Sequence, residues 1–145
     1  LFGAPGVGKG TQGKILGMIP GYYHCSCGDV FRNIDIKSEL GKVFSSYSAR
    51  GELVPDEFTI KLWAESIDGH HASGSYKPST DLLLLDGIPR TAEQAQLLQD
   101  HIDVLQVIYL TCSDEEAMFE RLRRRALKEN RLDDADDFGV NGPHL

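Results

Sequence analysis

The chain has 145 residues, 41% of them hydrophobic and 26% charged, with a formal net charge of −7. That is globular usage with enough length for one domain, residues 1–145, and its acidic balance argues against a general nucleic-acid binder. No apolar run is long enough to span a bilayer and no signal-peptide pattern opens the chain, so Cys25, Cys27 and Cys112 read as reduced thiols of a cytoplasmic protein. Cys25-x-Cys27 is too tight for a zinc ligand pair and has no second half elsewhere.

Residues 3–12 read GAPGVGKGTQ. Gly3, Gly6, Gly8 and Gly10 let the backbone turn tightly and bring its N–H groups to an anion. Lys9 adds a mobile charge for the β- and γ-phosphates, and Thr11 opens the following helix near a bound metal. A glycine-rich surface turn is the plain alternative, but four glycines, Pro5 and Lys9 in this order favour a phosphate loop. The general pattern places Ser or Thr directly after the lysine, whereas here Gly10 intervenes before Thr11.

Residues 9–19 read as a helix with Ile15, Met18 and Ile19 on one face. Gly13 and Gly17 inside it cost about 1 kcal/mol each against alanine, so packing has to hold it. Ser26 and Ser38 suit the caps of two further helices. Pro55 fits the first turn of another, with Ile60, Trp63, Ala64 and Ile67 as its buried stripe. Residues 69–80 read as a polar loop whose His70 and His71 have no acidic or thiol partner close in sequence.

Residues 82–85 and 104–112 (VLQVIYLTC) are continuously apolar, as strands covered on both faces need. The first ends in Asp86-Gly87. A carboxylate at a strand's C-terminal end can hold the waters of a nucleotide-bound Mg²⁺, although a strand-end turn explains Asp-Gly equally well by itself. Between the strands, residues 91–100 read as a helix capped by Thr91, with Gln94 placed to complete a capping box. Ser113 and Glu116 form a similar box opening a helix to about residue 125. Six of the fifteen Lys and Arg then crowd between Arg121 and Arg131. This is either a charged helix end favoured by its dipole or an anion site, since neighbouring arginines repel and a phosphoryl group relieves that repulsion.

Strand–helix alternation of this kind predicts an α/β fold, a parallel sheet with helices on both faces. Only Leu1 and Phe2 precede Gly3, where a buried strand is expected, and residues 138–145 carry no helical period. The sheet is therefore expected to be incomplete at both ends, with an exposed edge and an uncovered apolar face.

GAPGVGKGTQ resembles the phosphate loop of adenylate kinases and related nucleoside monophosphate kinases, and the likeness runs on to Asp137. Asp86-Gly87-Ile88-Pro89-Arg90-Thr91 resembles their DGFPRT segment, with Ile88 in place of phenylalanine. The arginine of that segment, here Arg90, grips the acceptor phosphate, a task that suits a planar guanidinium fork. Gln94 falls where these kinases read the adenine of AMP, its amide offering one donor and one acceptor edge. Residues 26–32 (SCGDVFR) resemble STGDxxR, which makes Arg32 the second acceptor arginine and puts Cys27 where threonine is usual. Residues 50–59 (RGELVPDEFT) match the next family segment, where Glu52, Leu53 and Val54 line the adenine pocket. Residues 121–137 resemble the short lid of eukaryotic-type adenylate kinases, with Arg125 and Arg131 on the phosphates and no zinc site.

The resemblance thus implies a three-layer P-loop kinase fold and the reaction ATP + AMP ⇌ 2 ADP with Mg²⁺. Gly6, Val7, Gly8, Lys9, Gly10, Thr11 and Arg125 would hold ATP. Cys27, Arg32, Glu52, Leu53, Val54, Gly87, Ile88, Pro89, Arg90, Gln94 and Arg131 would hold AMP. Lys9, Arg90, Arg125 and Arg131 would serve the transfer, and Asp86 would hold the metal through water. An AMP-binding region over 26–54 and a lid over 124–137 would move, in a monomer that engages neither nucleic acid nor membrane. Two rivals are a UMP/CMP kinase, which usually carries a different residue at the Gln94 position, and a P-loop regulatory module of the GTP-binding kind. The second lacks an NKxD guanine motif here and leaves the Asp86–Thr91 segment unexplained.

Overall fold

The computed structural model of the chain describes residues 1–129, so Arg131 and positions 130–137 of the expected lid lie outside the described residues. The elements run α1 (Lys9–Leu16), β1 (Tyr22–Ser26), α2 (Cys27–Arg32), α3 (Glu39–Ala49), α4 (Asp56–Ala72), β2 (Leu82–Asp86), α5 (Ala92–Leu98) and α6 (Glu115–Glu129). β1 and β2 pair in parallel, with Tyr22 opposite Leu82 and Ser26 opposite Asp86. Beyond β2, Leu1 N donates to Leu85 O at 2.5 Å, and Phe2 makes a single parallel bridge to Tyr109.

Alternation along the paired strands sorts side chains to two faces. Tyr23, Cys25, Leu83 and Leu85 pack with Ile60 and Trp63 of α4 and Leu98 of α5. The opposite face carries His24 and Asp86, and there α1 lies close. A Cβ on Gly13 would collide with the His24 ring, and one on Gly17 would sit 2.9 Å from His24 Cβ. The two glycines that weaken α1 as an isolated helix are what let it reach the sheet.

The expected stripe of α4 is confirmed, with Trp63 only 1% exposed. The buried Trp63 indole N–H has no hydrogen-bond partner among the described residues, and its ring packs in the same cluster as Cys25. The side chains of Ser26, Ser38 and Thr91 accept from the N–H of Asp29, Gly41 and Gln94 at the starts of α2, α3 and α5, as their sequences foretell.

Several expectations are corrected. β1, YYHCS, gives no sequence signal because a histidine and a serine interrupt its apolar character. Helix α1 ends at Leu16, and Ile15, Met18 and Ile19 are exposed, since the helix buries its glycine face and not its apolar one. α4 continues to Ala72, so His70 and His71 lie in its last turn, where the C-terminal carbonyls favour them. Pro55 is the N-cap of that helix and not its first residue. α6 is capped by Asp114, whose Oδ1 accepts from Ala117 N at 2.9 Å, and not by Ser113.

The largest correction concerns residues 104–112. They form one bridge and no strand, and Val104, Leu105, Val107 and Tyr109 are exposed. Phe2 N donates to Ile108 O and Leu110 N to Phe2 O, at 2.9 and 2.8 Å, and the pairing stops there. Strand propensity needs a partner of matching length, and among the described residues this segment pairs with the backbone of Phe2 alone. Among those residues, too, no helix is long and apolar enough to cross a membrane.

Burial pushes the thiols of Cys25 and Cys27 up from 9.0 to about 11. The unfolded chain releases these protons at lower pH than the folded one, so stability falls as pH climbs from 9.0 through about 11. Alkylation at pH 8 is expected to label the half-buried Cys112 first and to spare Cys25 and Cys27 until the chain unfolds; equal labelling of all three would contradict this packing. Gly13→Ala is expected to cost about 1–3 kcal/mol in urea unfolding through its clash with His24. Gly69→Ala, with nothing within 4 Å of the new methyl in α4, should gain up to about 1 kcal/mol. Equal midpoints for the two variants would place α1 away from the sheet.

Candidate active site

The turn from Gly3 to α1 is built from backbone that other residues adopt poorly. Gly3, Gly6 and Gly8 have φ of 146°, 81° and 108°. Two of these positions are also pressed by neighbours. A Cβ on Gly3 would lie 2.5 Å from Leu110 O, and one on Gly6 would meet Leu122 and the Met118 carbonyl at 2.9 Å. The buried Leu122 of α6 thus backs the loop from behind. Gly8 caps α1 without a side chain and no acidic residue follows in the first turn, so the N–H groups there remain for an anion.

Lys9 Nζ donates to Gly3 O at 2.7 Å and Ala4 O at 3.2 Å, folding its charge over the loop. Burial lowers its pKa from 10.5, with the Asp86 carboxylate opposing and Arg125 and Arg90 adding to the fall. Those three groups are therefore close enough to be felt. Asp86 ends β2, is 6% exposed, and approaches His24 Nε2 to 3.4 Å. Gly10 lies beside it, an added Cβ there falling 3.6 Å from Asp86 Oδ2. The strand's carboxylate and the helix's N-terminus meet at one point.

Gly87, with φ 78°, and the cis Ile88–Pro89 peptide then carry the chain out to Arg90, whose Nε donates to Gly87 O at 2.9 Å. On α2, Arg32 pairs with Asp29 one turn earlier. On α6, Arg121 reaches Gly6 O at 3.5 Å, and Arg124 pairs with Glu120.

One cleft of about 960 Å³ joins these parts. It is lined by Gly6, Gly8, Lys9, Gly10 and Thr11 of the loop, Asp86 to Arg90 of the β2 turn, Arg32 of α2 and Arg125 of α6. Sequence reasoning missed Lys14, His24 and Arg121, which also line it. No motif marks Lys14 or His24, whereas Arg121 opens the basic segment that resembles the short lid. Six cationic side chains face two carboxylates there, in a chain whose net charge is −7. A cleft so charged concentrates polyanions.

Other candidates stand off the cleft. Cys27 is buried beneath Gly87, 3.6 Å from where that residue's Cβ would be. Gln94 is 5% exposed, with Oε1 accepting from Arg90 N at 2.8 Å and Nε2 donating to Asp56 at 2.7 Å. No sequence signal points to Asp56 as its partner. Val7 is absent from the lining, as are Glu52, Leu53 and Val54 between α3 and α4. Leu53 is 94% exposed, and Glu52 pairs with Arg50 at 3.1 Å.

The donor set suits a cation delivered with a phosphate ligand. Asp86 offers a hard oxygen at the loop, and among the described residues no group of three or more His, Cys, Asp or Glu forms a cage. Mg²⁺ is commonly bound in this way, by one or two carboxylates, waters and substrate phosphates.

Comparison with known proteins shows the family. The sequence model of the family described as adenylate kinase matches residues 1–138. Adenylate kinases of Flavobacterium psychrophilum and Thermobifida fusca are each 38% identical to the chain, over 94% of its length and 71% of theirs. That of Cyanothece sp. strain PCC 7425 is 40% identical, over 94% of this chain and 69% of its own.

Proposed function

The chain belongs to the adenylate kinase family of phosphotransferases, and from that premise we propose how its residues divide the transfer of a phosphoryl group from MgATP to AMP. The observation that carries the reading is the single cleft in which Lys9, Asp86, Arg32, Arg90 and Arg125 converge on an uncapped helix N-terminus.

The loop from Gly6 to Thr11 and Lys9 hold the β- and γ-phosphates of ATP. Lys9 already rests on loop carbonyls, and a phosphate entering the loop draws it from neutral acceptors to a charged one. Arg32 and Arg90 hold the phosphate of AMP, and Arg125 adds charge from the α6 side. Gln94, Cys27 and Val54, with the neighbouring backbone of Glu52 and Leu53, form the surroundings of the acceptor base. A Mg²⁺ held through water by Asp86 would neutralise charge on the ATP phosphates.

No general base is required. The nucleophile is a phosphate oxygen of AMP, whose second pKa near ~6 leaves it ionised at neutral pH. The work left to the protein is to hold two anions in line and to stabilise charge as it moves between them. Three free cysteines support the cytoplasmic setting expected for such an enzyme.

AMP is expected to be phosphorylated far better than CMP or UMP by the full-length protein, because polar groups around the base are left unpaired by the wrong one. Comparable rates with CMP in a coupled assay would transfer the protein to the pyrimidine branch. Lys9→Met should abolish transfer, while Arg90→Ala should raise the KM for AMP and leave ATP binding nearly intact. Loss of ATP binding with retained AMP binding in Arg90→Ala would reverse the assignment of the two sites.

A further inference from the structure

We infer that Asp56 fixes which way round Gln94 presents its amide, and thereby selects a 6-amino purine over a 6-oxo purine at the acceptor site. The inference rests on the proposal that Gln94 reads the acceptor base.

Asp56 is the first residue of α4 and Gln94 lies in the first turn of α5, 38 positions apart. Gln94 Nε2 donates to Asp56 Oδ1 at 2.7 Å, and Thr91 Oγ1 donates to Asp56 Oδ2 at 2.8 Å. On its other side, Gln94 Oε1 accepts from Arg90 N at 2.8 Å. Thr91 Oγ1 in turn accepts from Gln94 N at 3.1 Å, which holds the helix start to the same group.

Neither of Gln94's two amide partners can change role. A backbone N–H only donates, and a carboxylate only accepts. Rotating the amide by 180° would set its NH₂ against the Arg90 N–H and its oxygen against the Asp56 carboxylate, losing two hydrogen bonds in a site 5% exposed. The amide therefore has one orientation.

An amide carries two N–H donors and two carbonyl lone pairs, and these partners take one of each. One donor and one acceptor remain, in an order the protein has fixed. A 6-amino purine offers its amino N–H beside a ring-nitrogen lone pair. A 6-oxo purine offers the reverse, a carbonyl oxygen beside a protonated ring nitrogen. A freely rotating glutamine would serve both; a fixed one serves a single class. Asp56 touches no reacting atom and is a positioning residue.

The test measures kcat/KM for AMP and for inosine monophosphate with the full-length protein and its Asp56→Asn, Asp56→Glu and Gln94→Ala variants. Each ratio comes from one preparation, so the folded fraction cancels. An asparagine side chain can either donate or accept, so Asp56→Asn is expected to raise the inosine-to-adenosine ratio about tenfold, the discrimination carried by one hydrogen bond. The change should appear in the KM for the acceptor and leave the KM for ATP as it was. Asp56→Glu, which still only accepts, should keep the parent preference. An unchanged ratio in Asp56→Asn, or equal shifts in the Asn and Glu variants, would overturn the inference. If Gln94→Ala abolishes the preference while Asp56→Asn does not, only the role of Asp56 falls. If Gln94→Ala leaves the preference intact, the reading of Gln94 falls and this inference with it.

Discussion

A helix N-terminus and a strand C-terminus have to meet at one point for this site to exist, and the contact between α1 and His24 of β1 is what permits it. Gly13 and Gly17 remove the side chains that would hold the helix off, so the helix axis lies against the imidazole itself. The approach sets Gly10 beside Asp86 and turns the free N–H groups of the first turn into the same space as the carboxylate. On its far side the loop is clamped by Leu122 and Leu110, which leave no room for a side chain at Gly6 or Gly3. Glycine is costly in an isolated helix, and here its cost is offset by position.

Cations gathered in one cleft repel one another, and the described structure settles them on nearby acceptors. Lys9 rests on the carbonyls of Gly3 and Ala4, Arg90 on that of Gly87, and Arg121 on that of Gly6. Arg32 leans on a carboxylate within its own helix. Such bonds are modest in exposed positions, so an arriving polyphosphate can displace them at little cost. Asp86 is held differently, buried at a strand end next to His24, and stays where the strand puts it. The site thus combines one fixed carboxylate with movable positive charge, which suits ligands that arrive already carrying a cation.

The acceptor side is organised by a polar network and not by charge alone. Asp56, Thr91 and Gln94 tie the starts of two helices together with the Arg90 backbone. One end of that network is the Arg90 backbone and the other a helix N-cap. In the proposed function, phosphate binding by Arg90 and base reading by Gln94 are therefore built on a shared support, so a change at either helix start is felt at both.

Local signals in the sequence determined the phosphate loop, the Asp86–Arg90 turn, the three hydroxyl caps and the buried stripe of α4. Each depends on residues a few positions apart: glycines that accept positive φ, hydroxyls that cap, apolar residues at helical spacing. Family membership was legible from the same segments. Tertiary structure decided what depends on a partner. The sequence of β1 reads as a strand only when β2 lies beside it, whereas residues 104–112 have strand propensity but find just Phe2 to pair with among the described residues. His24 reaches Asp86 across 62 positions, and Gln94 reaches Asp56 across 38. No local pattern encodes such meetings, because which donor faces which acceptor is fixed only when the helices pack on the sheet.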